Sequence, residues 1–62
     1  MDTLREDLKK ERERVSSIAN ELAVKGITDQ GILEATKEAD IALELDEFVG
    51  MVAALIVLKR YR

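Results

Sequence analysis

Sixty-two residues with no cysteine, histidine or proline make one small domain at most. Disulfides, thiolate zinc sites and imidazole-based nucleophile pairs are excluded, and neither a metal nor any other cofactor is indicated. The net charge of −3 is segregated: residues 1–25 balance, 26–48 carry seven acidic groups against Lys37, and 49–62 carry only Lys59, Arg60 and Arg62.

The first helix is expected over about 4–24. Thr3 and Glu6 are spaced as a capping box. Leu4, Leu8, Val15, Ile18 and Leu22 then recur with heptad spacing, with Glu11 standing where one apolar residue is missing. This coiled-coil-like seam is narrow and docks on one surface. A turn is expected over 25–28. Gly26 suits a left-handed C′ position, and Ile27 can return an apolar contact to the helix. Thr28 is placed to cap a second helix, with Ile27 and Ile32 spaced as a hydrophobic staple.

That second helix is expected over about 29–61, antiparallel to the first. Its apolar residues cover more than half of its circumference, and every residue from Met51 to Leu58 is apolar. At 1.5 Å per residue the first helix reaches ~32 Å and the second ~50 Å, so residues beyond Ala53 would overhang. The expected fold is thus all-α: an antiparallel two-helix hairpin whose overhang is covered by another copy, most simply as a homodimeric four-helix bundle. The expected oligomer interface is Leu45, Phe48, Val49, Val52, Leu55 and Ile56. An alternative is a break at Gly50 that folds the tail back. Glu11 and Asp46 lie within apolar stripes and read as buried polar residues that fix register.

The longest uncharged run, Phe48–Leu58, is far short of the ~20 residues of a membrane-spanning helix. The charged N-terminus is unlike a signal peptide, and a reducing cytoplasm is the simplest expected compartment. Four groups of polar residues remain as candidate sites. Asp40, Glu44 and Glu47 share a helix face near Thr36 and Lys37, where they are either a cation- or partner-directed site or a solvated surface. Arg5, Lys9 and Arg12 line one flank of the first helix. They either grip RNA phosphates or pair with the interleaved acids, and the acidic balance of the chain favours pairing over nucleic acid. Ser16, Ser17 and Asn20 form a small polar patch that suits a partner protein or a neutral surface equally. The glycines are isolated, so no phosphate-binding loop is present.

The stretch Lys25–Asp40 reads KGITDQGILEATKEAD. It resembles the small aspartyl-phosphate phosphatases that regulate sporulation, which are helical hairpins with a similar turn and a Ser-Gln-Glu-Leu-Asp signature. Thr36, Glu38 and Asp40 match that signature, whereas Lys37 and Ala39 depart from it. Lys37 cannot accept a hydrogen bond as the family's glutamine does. The resemblance implies an enzyme that removes phosphate from a response-regulator aspartate, with Asp40, Glu38 and Thr36 as its catalytic residues. The residues themselves point first to a small regulatory or assembly protein that acts through protein–protein interaction and has no catalytic residues of its own.

Overall fold

A computed structural model describes residues 3–62. These residues form three helices: α1 (Thr3–Val24), α2 (Gln30–Leu45) and α3 (Phe48–Arg60). Thr3, expected to cap the first helix from outside, already lies within α1. Four residues of the α1 seam are buried as their spacing requires, Leu8, Val15, Ile18 and Leu22, whereas Leu4, expected in the same seam, is 50% exposed.

The first reversal depends on Gly26, whose φ of 83° places it in the left-handed region. The Gly26 N–H donates to the Ala23 carbonyl at 3.0 Å, and the Ile27 N–H donates to the Leu22 carbonyl at 2.9 Å. This pair of bonds is a Schellman motif, and it satisfies carbonyls that the helix end would leave orphaned. The cap of α2 is Asp29 rather than Thr28. Its backbone is extended and its side chain accepts from the Gly31 N–H at 3.2 Å. The turn is therefore one residue longer than expected.

The expected two-helix hairpin is corrected at residue 46. The second helix does not continue to Tyr61 but ends at Leu45, and the chain reverses through Asp46 and Glu47. Asp46 takes the left-handed conformation at φ 56°. The Glu47 N–H donates to the Ala42 carbonyl at 2.8 Å, and the Asp46 N–H to the Leu43 carbonyl at 3.4 Å, repeating the hydrogen-bond pattern of the first reversal. The break thus falls four residues before Gly50.

Energetics favour the break. A non-glycine residue in the left-handed region costs ~1–2 kcal/mol. Folding back lets Met51, Leu55 and Leu58 enter the core, each contributing ~1.5–3 kcal/mol. The stretch expected to overhang is largely absorbed within its own chain: Ala54, Leu55 and Leu58 are buried. Leu55, assigned from the sequence to an oligomer interface, is an intramolecular core residue.

The result is an up-down-up bundle with extents of 40 × 15 × 15 Å. α1 and α2 are antiparallel, with Arg5 reaching Asp46 and Arg12 reaching Asp40. α3 runs back along α2 and parallel to α1, with Arg62 beside Glu21. The core alternates large and small residues. α2 contributes Ala35, Ala39 and Ala42 beside Ile32, facing the bulkier side chains of α1 and α3. Small residues also set the closest approach of α2 and α3. A Cβ on Gly50 would stand 3.1 Å from the Ala42 Cβ, and one on Gly31 would collide with the Tyr61 hydroxyl.

Candidate functional site: the α2–α3 surface

Closing the bundle leaves apolar side chains uncovered. Among the described residues eight large hydrophobic ones are exposed, and five of them lie between positions 41 and 56: Ile41, Leu45, Phe48, Val49 and Ile56. Wheel geometry at ~100° per residue explains the division within α3. Met51, Ala54, Leu55 and Leu58 face the core, and Gly50, Val57 and Tyr61 flank it towards α2. Val49, Ala53, Ile56 and Arg60 fall on the side opposite the core. Val49 is 82% exposed and Ile56 51% exposed. Of the six expected interface residues, Leu45, Phe48, Val49 and Ile56 are thus exposed, Val52 is half-buried and Leu55 is buried.

The two expected buried polar residues are not in the core. No polar or charged residue is buried among those described. Asp46 is the left-handed reversal residue, and its exposed carboxylate lies 3.8 Å from Arg5. Glu11 is half-buried and pairs with Arg14 at 3.4 Å. Each avoids the cost of an unpaired buried charge by staying at the bundle surface.

The phosphatase-like positions lie on the exposed side of α2. Thr36, Lys37 and Asp40 share a shallow hollow with Gln30, Leu33 and Glu34. Glu38 is exposed outside it. The Thr36 hydroxyl donates to the Ile32 carbonyl at 2.9 Å. Asp40 accepts from the Arg12 guanidinium at 2.6 Å, and Arg12 also donates to the Ser16 hydroxyl at 2.6 Å. Asp40 and Glu44 share no metal-binding cluster with a third acidic group among the described residues. Of the basic strip, Arg5 and Arg12 are engaged with Asp46 and Asp40, while Lys9 is exposed.

A third feature was not anticipated from the sequence. The C-terminus is tied back to α1 by Arg62, which donates to both carboxylate oxygens of Glu21, at 3.0 and 3.3 Å. The Arg62 hydrogen bond, with Lys25 nearby, holds the Glu21 carboxyl below the usual range. Only the fold-back of α3 brings residues 21 and 62 together, so a continuous second helix gave no hint of the pair. No described helix is long and apolar enough to cross a membrane. Comparison of the chain with protein-family models, curated proteins and solved structures yielded no match.

Proposed function

We propose that this chain is a small regulatory or assembly module that works by protein–protein contact, itself included, and carries no chemistry of its own. The supporting observation is the uncovered apolar surface of α2–α3. Of the five large hydrophobic side chains still exposed between positions 41 and 56, Val49 and Ile56 share the outer face of α3 and Phe48 lies on its other flank. Clustered exposure of this kind marks interaction surfaces more often than inert ones. The absence of histidine and cysteine leaves the common nucleophilic and acid–base arrangements without their usual members. A homodimer would bring two three-helix bundles together, in place of the two-hairpin bundle expected from the sequence.

The test is the mass in solution by sedimentation equilibrium, from low micromolar to millimolar chain. The expected result is a rise towards twice the chain mass. Replacing Val49 and Ile56 together by aspartate should hold the chain at monomer mass with its helical circular dichroism intact, since both sites are exposed. A monomer at every concentration would sink the self-association reading.

One observation favours a second reading, a response-regulator phosphatase. Thr36 and Asp40 line one hollow, and Gln30 brings to it the amide that the family's signature supplies from the position occupied here by Lys37. Loss of acyl phosphate from a phosphorylated receiver domain, abolished by Asp40→Ala, would support it. An unchanged phosphate half-life across a panel of receivers would exclude it for those partners.

A further inference from the structure

We infer that the partner of the outer α3 face is the same face of a second copy, the two α3 helices crossing antiparallel about a two-fold axis at Ala53. This rests on the self-association reading and specifies its geometry.

Three features of α3 converge on that arrangement. The outward face reads Val49, Ala53, Ile56, with the smallest residue between two larger exposed ones. A two-fold axis at Ala53 sets each copy's Val49 nearly level with the other's Ile56, and the paired alanines let the helices approach closely. Parallel pairing would instead stack like on like.

Charge supplies the second feature. Glu44, Asp46 and Glu47 precede α3, while Lys59 and Arg60 close it. Among the described residues, Glu44, Glu47, Lys59 and Arg60 take part in no intramolecular ion pair. Antiparallel crossing at Ala53 brings the acidic end of each copy to the basic end of the other, with Glu47 about level with Lys59 and Arg60. A parallel crossing would oppose like charges at both ends.

Area is the third. A standard interface buries ~800 Å² per partner, which is under a fifth of the chain's 4486 Å². The exposed Ile41 and Leu45 of α2 add apolar surface beyond that of α3 itself.

The chain has no cysteine, so single cysteines report geometry without interference. Ala53→Cys places its two copies at the axis, and mild oxidation should convert most of the chain to covalent dimer. Val49→Cys should stay largely monomeric on a denaturing gel. Its copies are separated by ~12 Å along the helices, beyond the ~7 Å that a disulfide tolerates. A mixture of Val49→Cys and Ile56→Cys chains should cross-link. In a second measurement, Arg60→Glu and Glu47→Arg should each weaken self-association roughly tenfold, and mixing the two variants should restore it.

A dimer in which Ala53→Cys fails to cross-link, or in which Val49→Cys cross-links as readily as Ala53→Cys, overturns this pairing and leaves self-association standing. A chain that is monomeric at all concentrations overturns both.

Discussion

The two reversals of this chain use the same hydrogen-bond pattern with different residues. After α1 the left-handed position is Gly26 and the next residue is Ile27; after α2 the corresponding residues are Asp46 and Glu47. Glycine takes that conformation without steric cost, and Ile27 packs against the core. Asp46 carries a side-chain penalty, and Glu47 is exposed and returns no apolar contact. The first reversal is thus specified locally. The second is held by the packing of α3, namely the burial of Met51, Leu55 and Leu58 and the close approach of Gly50 to Ala42. A reversal can be set by its own residues or by the helix it returns.

That contrast is open to attack from three directions. The largest effect should come from Gly50→Leu, which removes the close approach behind the second reversal. A large side chain facing Ala42 should force α2 and α3 apart and cost ~1–3 kcal/mol, read as a lower urea midpoint. A midpoint unchanged within error would show that α3 packing does not hold the turn.

Smaller effects of opposite sign are expected at the two left-handed positions. Gly26→Ala should destabilise by ~1–2 kcal/mol, because alanine adopts the conformation poorly and an open surface offers it nothing in return. Asp46→Gly should stabilise by ~0.5 kcal/mol, since relief of the left-handed strain exceeds the loss of one exposed contact with Arg5. Equal signs in thermal melts would erase the distinction between the reversals.

The smallest effect concerns pH and the tie between α3 and the first reversal. The carboxyl of Glu21 is lowered in the folded chain, first by the Arg62 hydrogen bond. Its stabilising contribution is therefore complete above the ordinary glutamate value and is lost as pH falls through the folded value. Arg62→Ala should shrink that acid-side loss, seen as flatter melting temperatures across mildly acidic buffers. An unaltered slope would mean that the pair contributes nothing measurable.

Much of this architecture is readable from residue spacing, and its limits are physical. The α1 seam and Gly26 are signals carried by neighbouring turns of one helix, and apart from the exposed Leu4 both appear where the pattern places them. The antiparallel order of α1 and α2 is a consequence of the short turn. Asp46 is ambiguous in a linear reading. Its placement in an apolar arc resembles a register-fixing polar residue, yet the same position serves as the reversal once α3 folds back. Continuous apolar character from Met51 to Leu58 equally describes a helix covered by another chain and one covered by its own. The apolar candidate surface was legible in part for the same reason. Val49 and Ile56 remain outside, and Leu55 does not, because a periodicity cannot say which neighbour a face meets. Contacts between residues far apart in sequence, such as Glu21 with Arg62, have no local signature at all.

Tyr61 is the chain's single tyrosine, and there is no tryptophan. Its ring closes the far end of the α2–α3 pair over Gly31. Partial burial first, and then the carboxylates of Asp29 and Glu34, raise its pKa and keep the phenol neutral. Near-ultraviolet signals from this protein therefore come chiefly from one optical probe, stationed where the last helix meets the second. Alkaline titration monitored by phenolate absorbance should ionise that ring later in the folded chain than in denaturant. As pH rises through the folded value, the favourable effect of the neutral phenol on folding disappears. The phenolate that replaces it would be repelled by the two nearby carboxylates, so base should loosen the bundle first at its C-terminal seam, with the ring itself signalling the event.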